Sequence, residues 1–159
     1  MTVKIICIGK IKEKSISQAL EEYIKRINGF CNFEIVELPE SRLPENPSQK
    51  EVEKALSNEA QAILKKISGN EYVFSLCIEG KQLSSTELAD KISQTMLYGK
   101  STICFVIGSS FGLDQSVKAS SDFKLSFSKM TFPHQLMRLI LTEQIYRSFT
   151  IINNTEYHK

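Results

Sequence analysis

Three short stretches of the chain combine glycine, hydroxyl and charged residues as ligand-binding loops do: Glu79-Gly80-Lys81, Gly108-Ser109-Ser110-Phe111-Gly112 and Ser128-Lys129-Met130-Thr131-Phe132. Glycine lets backbone N–H and C=O groups approach a ligand closely and tolerates positive φ, so each stretch could present main chain to a small molecule. Taken alone, Gly108 and Gly112 read equally well as turn residues. No Gly-x-Gly-x-x-Gly follows the first apolar run and no Gly-x-x-x-x-Gly-Lys-Ser/Thr occurs, which argues against dinucleotide and nucleoside-triphosphate chemistry.

His134 could move a proton, but it follows Pro133 at the start of a predicted helix, where the positive dipole end disfavours imidazolium. A histidine bonded to backbone is the expectation there. Arg138 and Arg147 could each hold an anion, yet nine residues at about 100° each put them near opposite sides of one helix. By position, Tyr157-His158-Lys159 reads as a frayed end. Cys7, Cys31, Cys77 and Cys104 form no Cys-x-x-Cys, and three sit in apolar runs, as buried reduced thiols do. His134 and His158 are the only histidines, so a zinc site would need an unusual ligand set and no metal is expected.

The elements that must position these groups alternate along the chain. Apolar runs predict strands over residues 3–8, 33–38, 72–78, 102–107 and 123–127. Ser15-x-x-Gln18, Ser48-x-x-Glu51 and Ser84-x-x-Glu87 have capping-box form and open three predicted helices. A short helix is expected over 115–119, and Pro133 opens a last one carrying Leu136, Leu139, Ile140, Ile145 and Phe149. Pro39, Pro44 and Pro47 fall in a polar stretch that neither regular element can occupy. Alternating strands and helices predict an α/β fold with a mainly parallel sheet and helices on both faces. In such sheets ligands lie beyond the carboxyl ends of strands, which is where the three glycine-bearing stretches fall.

Composition sets the outer bounds. The chain has 159 residues, 42% hydrophobic and 24% charged, which excludes a disordered or collagen-like polymer. A chain this long buries about 68–70% of its unfolded surface and needs neither disulfide nor metal to hold a core, so one domain over residues 1–159 is expected. No apolar run approaches the ~20 residues of a membrane helix. Met1-Thr2-Val3-Lys4 leads straight into an apolar strand with no cleavage site, so a cytoplasmic protein is expected. The net charge of +2 does not mark a nucleic-acid binder. Residues from Lys118 onward nevertheless carry six basic and three acidic groups, against fourteen and fifteen before them, so a basic face could form at that end.

Beyond this point the last third of the chain is recognisable. Phe105-Val106-Ile107-Gly108, the run from Leu125 through Ser126, Phe127, Ser128, Lys129, Met130, Thr131, Phe132, Pro133 and His134 to Gln135, then Arg138, Glu143-Gln144-Ile145-Tyr146-Arg147 and Tyr157-His158-Lys159 resemble the rRNA large-subunit methyltransferase H family. Gly9-Lys10, Pro44-Glu45-Asn46 and Gly80-Lys81 extend the resemblance over the whole chain. It implies a SPOUT-type α/β knot, with a C-terminal trefoil knot, in a cytoplasmic homodimer. The implied activity is transfer of a methyl group from S-adenosyl-L-methionine to N3 of a pseudouridine in 23S rRNA of the ribosome. The cofactor contacts it implies are Leu76, Gly108, Phe127, Ser128, Lys129, Met130, Thr131 and Phe132. It makes His158 the candidate proton acceptor, Arg147 a group for phosphate or the developing base anion, and Tyr157 a contact to the base. The family pattern has two adjacent glycines where this chain has Gly108-Ser109, so a side chain and a negative φ are expected at Ser109. Two alternatives stay open at this stage: a SPOUT methyltransferase acting on another RNA nucleotide, and a non-enzymatic RNA-binding or ribosome-assembly protein.

Overall fold

The computed structural model describes residues 1–157. In chain order its elements are β1 (Thr2–Ile8), α1 (Lys14–Ile27), β2 (Asn32–Leu38), α2 (Gln49–Leu64), β3 (Tyr72–Gln82), α3 (Ser85–Leu97), β4 (Thr102–Ile107), α4 (Gln115–Ser120), β5 (Phe123–Ser126) and α5 (His134–Ile152). The strands form one sheet in the order β2-β1-β4-β3-β5, with every pairing parallel. The expected α/β class is what the structure shows.

Alternation along β1 divides the core. Val3, Ile5 and Cys7 point to one face and meet Ile27 of α1, Leu88 and Ile92 of α3, and Leu141, Ile145 and Phe149 of α5. Ile6 and Ile8 point to the other and meet Ala60 and Ile63 of α2 and Val117 of α4. A central parallel strand buried on both faces must be apolar almost throughout, as β1 and β4 are. The exception is Lys4, whose ammonium donates to Glu71 at 2.5 Å and to the Lys66 carbonyl at 2.7 Å, so the buried charge is partnered.

Two predicted helix starts are built as expected. Ser48 and Ser84 each accept from the backbone N–H three residues on, while Glu51 and Glu87 accept from the serine N–H at 2.8 and 2.7 Å. Such caps contribute about 1 kcal/mol each. The Ser15-x-x-Gln18 box does not form: α1 starts at Lys14 with Glu13 at its cap and no side-chain bond, which leaves Ser15 inside the first turn. Pro133 is the cap of α5 rather than its first residue.

β3 departs most from expectation. Glu79-Gly80-Lys81 is not an exit loop, because the strand continues to Gln82. Its pairing with β5 skips from Leu76 to Lys81, so residues 77–80 bow out of the ladder. Gly80 passes so close to β5 that a Cβ there would lie 2.7 Å from the Lys124 carbonyl, which makes glycine a steric requirement.

Candidate active site

The bow in β3, the end of β4 and the turn after β5 open side by side at the carboxyl edge of the sheet. Between them lies a cleft of about 670 Å³, within the usual range for small-molecule sites. Leu76, Cys77, Ile78 and Glu79 come from β3, and residues 107–113 from β4 and its loop. Residues 125–128 and 130–132 come from β5 and its turn, and His134 and Met137 from the first turns of α5. Of the eight residues expected to contact the cofactor, Leu76, Gly108, Phe127, Ser128, Met130, Thr131 and Phe132 line this cleft. Lys129 is exposed and does not.

Local chemistry fixes the loops. Ser126 Oγ donates to the Ser128 carbonyl at 3.0 Å, and the Met130 N–H donates to Ser128 Oγ at 3.0 Å, which turns the chain sharply after β5. In the loop after β4, Gly112 N–H donates to the Ser109 carbonyl at 2.9 Å. A Cβ on Gly108 would collide with the Gly112 carbonyl, so the loop's own closure demands glycine there. Ser109 keeps a negative φ, since Asn154 is the sole described non-glycine residue at positive φ. Its hydroxyl is bound to Glu59 Oε2 at 2.9 Å.

The walls are mostly apolar, and three large apolar side chains at the rim, Ile78, Phe111 and Met130, are about half exposed or more. Lys118 donates to Glu79 at 2.5 Å, and that hydrogen bond holds the Glu79 carboxyl below the ordinary range. Burial pushes the Cys77 thiol up, so the one cysteine in the cleft is a poor nucleophile.

His134 was expected to bond backbone. It faces the cleft instead, makes no hydrogen bond among the described residues, and places Nε2 3.6 Å from where a Gly9 Cβ would stand. Arg138 is fully buried: it donates to Glu37 at 2.5 Å and to the Gly9 carbonyl at 2.9 Å, clamping α5 to the ends of β1 and β2. Its role in the fold is structural.

Arg147 and Tyr157 meet each other but not the cleft. Glu143 Oε1 accepts from Arg147 Nε at 3.0 Å, from Nη2 at 2.6 Å and from the Tyr157 hydroxyl at 3.2 Å. The Arg147 guanidinium lies 4.8 Å from the Tyr157 ring centre, which sits edge-on to Tyr146 at 4.7 Å. Burial, the Tyr23 hydroxyl and the Glu143 charge push the Tyr157 phenol up, so it stays a neutral donor. Arg147 is 10 residues beyond Met137, the last cleft residue on α5, about 15 Å along the axis, and neither Arg147 nor Tyr157 lines the cleft of its own chain. His158 lies outside the described residues. Glu79 lies in a stretch the sequence marked for a ligand, whereas Cys77, Ile78 and Met137 were missed as cleft residues; the bow that brings residues 77–79 to the cleft depends on pairing between distant strands and leaves no local signal.

Comparison with known proteins follows the same lines. A family model described as "Predicted SPOUT methyltransferase" matches residues 1–158. A putative ribosomal RNA large subunit methyltransferase H from Methanococcus vannielii is 54% identical over 159 residues, covering all of both chains. Ribosomal RNA large subunit methyltransferase H proteins from Limosilactobacillus reuteri and Clostridioides difficile are 50% and 49% identical over the same full length. A probable methylase family protein from Haemophilus influenzae superposes with a TM-score of 0.54 at 16% identity, covering 99% of this chain and 70% of that one, a likeness of fold. The chain belongs to the SPOUT methyltransferases and, among them, to the rRNA large subunit methyltransferase H family.

Proposed function

We propose that this protein transfers a methyl group from S-adenosyl-L-methionine to N3 of a pseudouridine in 23S rRNA, acting in the cytoplasm on the assembled ribosome as a homodimer. One observation carries the reading: seven of the eight residues that the family resemblance assigns to the cofactor line a single cleft. The residues present fit the group. Leu76, Phe127 and Phe132 offer apolar walls for an adenine ring, and the loop backbones at Gly108 and around Ser128 offer polar atoms for its sugar and amino-acid ends.

Bound there, the cofactor supplies an electrophilic methyl group on sulfur. The protein's own work is to hold the base in line with that methyl group and to accept the N3 proton, which must leave for nitrogen to attack. His158 takes that proton, because an imidazole titrates near neutrality. Arg147 holds a phosphate or the developing base anion, and Tyr157, a neutral phenol, contacts the base. The separation of the Arg147–Tyr157 cluster from the cleft favours an arrangement in which the tail of one subunit serves the cleft of its partner. Leu136 is exposed and Leu139 and Ile140 half-buried along α5, an apolar stripe suited to the dimer contact. The trefoil knot is part of the same proposal.

Isothermal calorimetry with S-adenosyl-L-methionine tests the cofactor assignment. One site per chain is expected, and no heat of binding at millimolar cofactor would refute it.

A further inference from the structure

Glu59 projects from α2 behind the loop that follows β4. It is 5% exposed, and no described cation forms an ion pair with it. A buried carboxylate without a cation needs hydrogen bonds to both oxygens. Both are met, by two different loops. Oε1 accepts from the Ser41 backbone N–H at 2.9 Å, and Oε2 accepts from Ser109 Oγ at 2.9 Å. Ser109 is buried, lines the cleft and carries the carbonyl that closes the turn with Gly112. Ser41 belongs to the proline-bearing segment between β2 and α2, and is otherwise held by a bond to the Ala55 carbonyl at 3.3 Å. That segment reaches the mouth of the cleft: Glu40 Oε2 and His134 Nε2 both lie 3.6 Å from the Cβ position of Gly9.

We infer that Glu59 is a positioning residue that couples the cleft to the segment between β2 and α2. A ligand resting on the Gly108–Gly112 turn fixes Ser109, Ser109 fixes the Glu59 carboxylate, and the carboxylate then grips the Ser41 amide. The inference rests on the reading that the cleft takes S-adenosyl-L-methionine. By linkage the effect is reciprocal: whatever orders the exposed stretch around Arg42, Glu45 and Asn46 tightens cofactor binding by the same factor. The loaded and empty proteins therefore present different surfaces to RNA beside the cleft.

Amide hydrogen exchange at Ser41, with S-adenosylhomocysteine as the probe, tests this on the full chain. Saturating probe should slow Ser41 exchange about 10-fold in the wild type, within the span usual for coupled sites. The effect should vanish in Ser109→Ala, which cuts one end of the link, while amides of β1 exchange as before. Glu59→Leu serves as a second variant: with no polar atom it can meet neither the Ser41 N–H nor the Ser109 hydroxyl, so it should also lose the probe effect. If Ser109→Ala no longer binds the probe, Glu59→Leu decides. A role in packing alone predicts Ser41 exchange indifferent to the probe in every protein. Probe that binds by calorimetry yet leaves Ser41 unchanged, or slows it equally in both variants, overturns the coupling and leaves the cofactor reading standing. Absence of probe binding overturns both.

Discussion

Gly108 shows how one residue's geometry governs the site. Its lack of a side chain lets the loop after β4 fold back so that the Gly112 carbonyl passes where a Cβ would be. Gly108→Val adds a branched side chain at that point, so the loop must open and lose the backbone atoms it offers a ligand. The substitution should abolish S-adenosyl-L-methionine binding in calorimetry while thermal unfolding stays cooperative, because the collision falls on the loop after β4 and the adjoining Leu113 rather than on the sheet. Retained wild-type affinity would place the cofactor elsewhere. Ser109, next to it, shows how a departure from the family pattern is absorbed: its φ is ordinary and its hydroxyl finds a buried acceptor on α2. That acceptor lies fifty residues away in sequence, so no local reading could have named it.

Among the elements, those with strong local signals were the legible ones. The Ser48 and Ser84 boxes put a cap and its reciprocal glutamate within four residues, and both form. Hydrogen bonding to the serine backbone and hydroxyl holds the Glu51 and Glu87 carboxyls below the ordinary glutamate range. A lowered folded-state pKa stabilises the folded form above the unfolded value, and that contribution is lost as pH falls through the folded value. The Ser48 and Ser84 amide resonances should therefore shift at a pH below the ordinary glutamate titration, with the first turns of α2 and α3 fraying there. Midpoints at the value of an unperturbed glutamate would show that the boxes are not formed in solution. β3 was legible only in its first half. Its apolar run marks residues 72–78, but the continuation to Gln82 depends on β5 taking up pairing again at Lys81, a contact between segments far apart in the chain. The Ser15 box failed for a related reason: the same motif can fall inside a first turn when the helix starts earlier.

At the scale of the molecule, the cleft and the Arg147–Tyr157 cluster sit at different places along α5, and the proposed catalytic centre draws the cleft from one chain and the cluster from its partner. Light scattering at micromolar concentration should give about 36 kDa, twice the 18.0 kDa chain, and a value near 18 kDa would contradict the dimer. Deleting residues 157–159 should leave that mass unchanged and lower the thermal unfolding temperature slightly, since the contacts of Tyr157 with Glu143 and Tyr146 are lost. Methyl transfer should fall by ~10²-fold or more, since positioning and acid–base catalysis are each worth at least that. Unchanged turnover would remove the tail from the mechanism. The class of the sheet was readable because alternation of strands and helices is a property of the whole sequence. The proposed pairing of two copies rests on the family resemblance instead, because nothing in one chain's periodicity says which surface a second copy meets. The decisive measurement is incubation of the protein with ribosomes and radiolabelled S-adenosyl-L-methionine, with and without prior pseudouridine formation in the 23S rRNA. One methyl group per ribosome is expected, on N3 of a pseudouridine, and none where the pseudouridine is missing. Equal labelling of both ribosomes, or label on another nucleotide, would contradict the proposed activity.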